Sequence, residues 1–370
     1  MQLDDYLAEL ASLVNVDCGT NTLEGVATVA ANMHEKYQQL GWHSEIVDLG
    51  DKVGPGVFAA NKPNSPHFDV LLVGHLDTVF PVGTVAMRPM SIKEDRAYGP
   101  GVADMKSGLL NILWAMRELS AEAKERLSIA IAMNPDEETG SVYSHEWIGA
   151  LAKRSRCVLV CEAARADGSL VKARKGMARY ELEFHGVATH AGNDPENGRS
   201  AINEMAHWIL HLNQLANAQL GTTLNVGVVS GGSAANVVAD YAQAIIDVRF
   251  WQNDEFERVD RLMRTTTPHC FTADVRLNVT LQAHVPAMSP SEKTEQLMAK
   301  VESAGRLENI DVRWQAVGGG SDANHTAALG IPSLDGFGPI GAGFHSPAEY
   351  LELSSIEPRV RLLRRVIETL

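Results

Sequence analysis

Histidines and carboxylates recur in this chain where apolar runs end. Val70–Thr78 reads Val-Leu-Leu-Val-Gly-His-Leu-Asp-Thr. The run closes at Gly74, and His75 and Asp77 follow two residues apart, on one face of an extended chain. An imidazole there suits a metal, and the neighbouring carboxylate suits the group that orients it. Asp104 lies in Gly101-Val-Ala-Asp-Met-Lys-Ser-Gly108, just ahead of an apolar helical stretch. Its ordinary role in such a place is a helix cap. Glu137 and Glu138 follow the apolar stretch Leu127 to Met133 and precede Thr139-Gly140. Adjacent carboxylates are ordinarily solvated loop charges, but these are held between a strand and a turn. Glu162 ends the run Cys157 to Cys161, where a carboxylate is costly to bury unless paired or metal-bound. His345 closes the glycine-rich segment that starts at Gly336.

Oxygen and nitrogen donors without cysteine fit a catalytic zinc or a similar divalent site rather than a structural one. Two metals sharing one bridging carboxylate would activate a water and polarise a carbonyl. One carboxylate must then stay off the metals as general base.

The elements that position these residues follow from periodicity. Leu3, Leu7, Leu10 and Val14 predict a first helix. Val26, Val29, Met33, Tyr37 and Leu40 predict a second, opened by a capping box of Asn21 and Glu24 and stopped by Gly41. Strands are expected near 42–49 and 56–61, then at the buried runs ending in His75, Met133 and Cys161, with a buried helix near 107–119 between them. Alternating helices and buried strands with polar residues at strand ends describe an open α/β sheet, whose ligand sites lie in that place.

The texture changes near residue 178. Arg179 to His185 alternates strictly, as a half-exposed strand does. A helix over 200–217, strands at 222–229 and 242–250, a helix marked by Phe256, Val259 and Met263, and a strand from Val275 to Leu281 complete a β-α-β-β-α-β order. That order is a ferredoxin-like α+β sandwich. The chain is long for one core. The expected fold is therefore an α/β catalytic domain of residues 1–176 and 287–370, interrupted by an inserted α+β domain of residues 177–286. After the insertion come a helix near 292–304, strands at 311–317 and 331–336, and a closing helix opened by Ser354 with Glu357.

The motifs Gly74-His-Leu-Asp77, Gly101-Val-Ala-Asp-Met-Lys-Ser-Gly108, Asp136-Glu-Glu-Thr-Gly140, Thr189-His-Ala-Gly192, Gly318-Gly-Gly-Ser-Asp322 and Phe344-His345 occur in order over nearly the whole chain. In this the sequence resembles the di-zinc exopeptidase and amidohydrolase family. That family includes glutamate carboxypeptidase, acetylornithine deacetylase, succinyl-diaminopimelate desuccinylase and the aminoacylases, and the texture is most similar to the glutamate carboxypeptidase-like members. The resemblance implies a zinc-exopeptidase-like catalytic domain with a lid and dimerisation domain inserted in it. It implies that His75, Asp104 and Glu162 hold one divalent ion and that Asp104, Glu138 and His345 hold another, zinc or else cobalt or manganese. Glu137 would take a proton from the bridging water and pass it to the leaving amine, with Asp77 behind His75. His190 would stabilise the oxyanion, supplied by the partner subunit in dimeric relatives. Arg249, Asn236 and the Gly319-Gly320 backbone would bind the substrate carboxylate, a bidentate task suited to a guanidinium. Lys175, at the domain junction, is a hinge charge or a substrate contact. The implied activity is hydrolysis of an amide bond in a small peptide or N-acyl amino acid, with carboxypeptidase and deacylase or desuccinylase types both open. Glutamate-releasing relatives carry extra basic residues near the second domain junction. Here Gln282-Ala-His-Val-Pro286 offers only His284, so the resemblance leaves a preference for a C-terminal glutamate open.

Composition limits the partners. A formal net charge of -14 argues against nucleic acid and anionic membranes. Cys18, Cys157, Cys161 and Cys270 are too few for a disulfide framework, and Cys157 and Cys161 lack zinc-finger spacing. The acidic start shows no basic n-region, and no run has membrane-spanning length, so a cytoplasmic location is expected. The resemblance implies a homodimer formed through the inserted domain and acting on a small molecule. Gly99-Pro-Gly101 opening a helix suggests a dinucleotide site, but Asp104 stands where the third glycine belongs and would repel a pyrophosphate. No Gly-x-Ser-x-Gly elbow marks a serine hydrolase. A non-catalytic module on the same scaffold would lack the base or a ligand, and every one of these residues is present.

Overall fold

The computed structural model describes residues 1–266 and 270–370. The chain divides into two compact units, one of Met1–Ala173, Pro290–Val317 and Ser321–Leu370, the other of Arg174–Ser289 with Gly318–Gly320.

In the first unit the labelled elements are α1 Leu3–Val14, α2 Leu23–Gln39, β1 His43–Val47, β2 Gly56–Ala60, β3 Val70–His75, α3 Ser107–Arg117, β4 Ile129–Asn134, α4 His145–Lys153, β5 Val158–Val160, α5 Glu292–Leu307, β6 Ser333–Leu334 and α6 Ile356–Glu368. The main sheet has the order β1-β2-β4-β3-β5-β6. β3 runs parallel to both β4 and β5, with His75 opposite Asn134 and Leu71 opposite Val158. β2 pairs antiparallel with β4 and β1 with β2. Every residue of β2, β3, β4 and β5 is buried, as expected of strands covered on both faces. Fully buried aliphatic side chains such as Leu72, Ile131 and Leu159 each contribute about 1.5–3 kcal/mol. Helix α3 starts where Gly108 passes the Cys161 carbonyl so closely that a Cβ would collide with it. That close approach sets the loop carrying Asp104 against the end of β5.

Two expected caps are absent. The N-cap of α2 is Thr22, with no side-chain capping bond, because a turn from Gly19 to Thr22 (Thr22 N to Gly19 O, 2.6 Å) puts Thr22 and not Asn21 at the helix start. At α6 a 3-10 turn over Leu353–Ser355 moves the cap from Ser354 to Ser355. The Ser355 hydroxyl donates to the Glu352 carbonyl and accepts from Ile340 N instead of capping the helix. The strand expected over 311–317 is Trp314–Val317, and it pairs with Leu170–Arg174 in a separate two-stranded sheet.

The second unit is a four-stranded antiparallel sheet with two helices. Its strands are Gly176–His185, Thr223–Gly231, Tyr241–Phe250 and Arg276–Val285, and its helices are Ala201–Leu215 and Asn253–Thr266. In order of appearance the strands lie 4-1-3-2 across the sheet, the ferredoxin-like order. One face is a core of Tyr180, Leu182, Phe184, Trp208, Ile246, Val248 and Phe250. The unit begins and ends where Arg174 and Met288 exchange backbone hydrogen bonds at 2.9 and 3.0 Å, outside the expected bounds of 177 and 286. The Arg174 guanidinium donates to the carbonyls of Gly319 and Gly320.

Among the described residues no helix is long and apolar enough to cross a membrane.

Candidate metal centre

The parallel strands of the first unit deliver the centre from their carboxyl ends. β3 ends at His75, β4 is followed by the 3-10 turn Glu137–Thr139, and Glu162 lies just beyond β5. His75 is wholly buried. Its Nδ1 donates to the Asp77 main-chain carbonyl at 3.0 Å, so Nε2 faces Asp104 Oδ1 at 3.1 Å and Glu162 Oε1 at 3.5 Å. His345 Nε2 lies 3.1 Å from Asp104 Oδ2 and 3.2 Å from Glu138 Oε2. The two oxygens of Asp104 therefore face different histidines. Ligand atoms of His75, Asp104 and Glu162 fall within 4.8 Å of one another, as do those of Asp104, Glu138 and His345. Glu137 Oε2 is 4.0 Å from His75 Nε2 and belongs to neither group.

Asp77 holds the two sides together. Its carboxylate is wholly buried and sits 3.3 Å from His75 Nδ1. It accepts the backbone N–H of Glu137 and of Glu138, each at 3.2 Å, and the Thr20 hydroxyl at 2.6 Å. Glu349 does the same for the Asp104 loop. Its buried carboxylate accepts the backbone N–H groups of Gly101, Ala103 and Asp104 at 3.1, 2.9 and 3.0 Å. His345 itself has φ +60, in the left-handed region that a residue with a side chain rarely adopts, and Gly343 two residues earlier has φ +74. Consecutive reversals at Gly343 and His345 turn the imidazole toward Asp104.

Charge at the centre follows from this packing. Burial alone would raise Asp104, but the hydrogen bonds of His345 and His75 outweigh it and hold its carboxyl well below the usual range. Asp104 and then Glu138 push His345 up to about 10. Burial opposes charge on His75, yet Glu162, Asp104 and Asp77 together raise it well above its ordinary value. Burial also raises Glu137 and Glu162, and it takes Glu138 to about 7. The field of the carboxylates thus favours positive charge where the two histidines meet Asp104. Imidazole and carboxylate donors of this kind suit zinc, cobalt or manganese. The four cysteines are free thiols and belong to neither ligand group.

The other expected site residues lie in the second unit. His190 is exposed, and its Nδ1 accepts the backbone N–H groups of Gly192 and Asn193, both at 3.1 Å, which leaves Nε2 to carry the proton of the neutral ring. Asn236 is exposed, and its carbonyl accepts Ala191 N, so it is tied to the His190 loop. Arg249 donates to both oxygens of Asp247, two residues earlier on its strand, at 2.8 and 3.1 Å. Lys175 donates to the Gly221 carbonyl and sits over the Trp251 ring. His284 stacks on Phe256 with ring centroids 3.8 Å apart, and burial of that face lowers its pKa, so it is a poor cation.

Thr20 and Glu349 carry no mark in the sequence, because the groups they serve are distant in the chain. Beside Glu138 a cleft of about 500 Å³ is lined by Thr20, Thr22, Phe80, Val82 and Thr139 among others. Its lining is uncharged, with threonine hydroxyls, the Asn21 amide and apolar side chains, apart from Glu138 as the charged group.

The sequence model described as peptidase family M20/M25/M40 matches residues 71–369. The chain belongs to this family. It is 30% identical over 368 residues to carboxypeptidase G2 of Pseudomonas sp., covering 97% of this chain and 87% of that protein. It is 28% identical over 316 residues to acetylornithine deacetylase of Proteus mirabilis, covering 81% of this chain and 79% of that one. In fold it is similar to the crystal structure of aminopeptidase PepT from Bacillus cereus, with a TM-score of 0.80 and 23% identity, covering 100% of this chain and 99% of the other. This M20 chain is accordingly a metallo-hydrolase of the carboxypeptidase or deacylase type, with a mixed α/β fold.

Proposed function

We propose that this M20 enzyme hydrolyses the amide bond of a small peptide or N-acyl amino acid that has a free carboxylate. One divalent ion is held by His75, Asp104 and Glu162, and a second by Asp104, Glu138 and His345. The observation that carries this reading is the position of Asp104, with Oδ1 and Oδ2 each 3.1 Å from a different histidine, while Glu137 stays outside both ligand groups. When bound, such ions polarise a carbonyl and lower the pKa of a water between them.

The chain's own residues do the rest. Glu137, fixed at its main chain by Asp77, takes the proton of the attacking water and returns it to the leaving amine. His190 donates Nε2–H to the oxyanion, from the partner subunit of a homodimer formed through the second unit. Arg249 exchanges Asp247 for the substrate carboxylate, keeping a two-pronged contact. The acyl side occupies the cleft beside Glu138. Its lining, without a cation and with the Glu138 carboxylate at one side, favours neutral acyl groups over succinyl.

Metal content of the purified protein, followed by hydrolysis of dipeptides, N-acetyl amino acids, N-succinyl amino acids and glutamate conjugates with and without chelator, tests the reading. Two equivalents of metal and chelator-sensitive release of an amino acid are expected. A chain that loads no metal under any condition overturns it.

A further inference from the structure

Lys106 and Cys18 form a buried pair that the proposed hydrolysis does not use. Lys106 lies between the Asp104 loop and α3 and is wholly buried, and Cys18, in the turn after α1, is 1% exposed. Lys106 Nζ is 2.7 Å from Cys18 Sγ. Three other polar contacts to sulfur are longer: Cys18 Sγ to Leu76 O is 3.4 Å, His75 N to Met105 Sδ is 3.3 Å, and Cys157 Sγ to Asp69 O is 3.6 Å. The remaining polar contact of Nζ is the Val16 carbonyl at 3.4 Å, and no ion pair among the described residues joins Lys106 to a carboxylate. A buried amine is costly without a partner, and here its close partner is sulfur. A single oxygen atom bonded to both nitrogen and sulfur spans a separation of this size.

We propose that Cys18 and Lys106 are an oxidation site, where dioxygen joins Sγ to Nζ through one oxygen atom in a covalent N–O–S bridge. The thiol gives up its hydrogen and the amine gives up one of its two. Sulfur rises by two electrons to the sulfenate level and nitrogen by two to the hydroxylamine level. Those electrons reduce dioxygen, of which one atom enters the bridge and the other leaves as water with the two hydrogens. Excess thiol reductant returns the thiol and the amine, releases the bridging oxygen as water and becomes disulfide. Burial on all sides confines the reaction to a small neutral oxidant and leaves little room for the bulkier sulfinate and sulfonate. The bridge would fasten the turn that supplies Thr20 to the segment that supplies Asp104, both in the first unit.

The test is peptide mass mapping of the full chain after incubation in oxygen-saturated buffer, with trypsin and without reductant. The expected product is a cross-linked pair of peptides containing Cys18 and Lys106, heavier than their sum by one oxygen less two hydrogens. Cleavage after Lys106 should be lost and then restored by excess thiol reductant, and the product should be absent from Cys18→Ser and Lys106→Arg. The wild-type map decides the matter even if a variant fails to fold. An oxidised sample in which Cys18 still alkylates and Lys106 is still cleaved overturns the proposal, as does Cys18 sulfinate beside unmodified Lys106, or a link lacking the oxygen.

Discussion

Oδ1 of the buried Asp77 carboxylate accepts the backbone N–H of Glu137 at 3.2 Å and lies 3.3 Å from His75 Nδ1. One side chain therefore sets the place of both the proposed base and a proposed ligand. Asp77→Asn keeps the shape but turns an acceptor into a donor toward those N–H groups. Metal affinity and kcat should each fall by about 10–100-fold. Thr20→Val removes the 2.6 Å bond to Asp77 Oδ2 and should cost about 1–3 kcal/mol of stability, with a smaller loss of kcat. Chelator competition and steady-state kinetics check the first, and denaturant melts the second.

Glu137→Gln separates proton transfer from metal binding, since Glu137 belongs to neither ligand group. Metal content should stay at the wild-type value while kcat drops by about 10²–10⁴-fold. Metal analysis beside kinetics checks it, and wild-type turnover in the variant would remove Glu137 from the role of base.

Asp104→Ala removes the carboxylate that both ligand groups share. Both equivalents of metal should be lost together. Glu162→Ala and Glu138→Ala should each weaken one site and spare the other. Titration with cobalt, read by its visible absorption, distinguishes these outcomes, and two retained equivalents in Asp104→Ala would rule out a shared ligand.

The ends of β3, β4 and β5 are legible in the sequence because each apolar run stops at a residue that is costly to bury: His75, the Glu137–Glu138 pair and Glu162. The strand order of the second unit is legible from its alternation and its β-α-β-β-α-β sequence of elements. What is not legible depends on chain reversal and long range. The turn at Gly19 displaces the α2 cap from Asn21 to Thr22, and a pattern of polar spacing cannot anticipate that turn. Glu349 serves N–H groups more than two hundred residues earlier, so no local signal marks it. The resemblance points Arg249 at a substrate carboxylate, whereas the strand places Asp247 on the same side, two residues away, where the pair forms.

His190 presents Nε2–H because Nδ1 is occupied by the Gly192 and Asn193 amides. His190→Ala should lower kcat by about 10²–10³-fold with metal content unchanged, as expected for loss of one oxyanion donor. Mixing His190→Ala with Glu137→Ala subunits should restore part of the activity if the imidazole acts across a dimer. Absence of restoration in a verified mixed dimer would place His190 in its own subunit's reaction.

Glu349 gives a pH dependence of known sign. Burial raises its pKa from the ordinary 4.5 to about 7, against the pull of the Ala103 and Asp104 amides. Between those values the folded chain keeps a proton that the unfolded chain has released. Stability therefore falls as pH rises, since the unfolded state binds fewer protons. The contribution is fully present below pH 4.5 and is lost as pH passes through about 7, a change of about 3 kcal/mol over the window. Glu349→Gln cannot titrate and lacks this component. Its stability relative to wild type should improve with pH across that window, even though it loses acceptor capacity toward Gly101, Ala103 and Asp104. Denaturant melts of both chains at pH 5 and pH 8 measure the difference, and a gap that stays constant or widens with pH would show that the folded chain holds Glu349 ionised throughout.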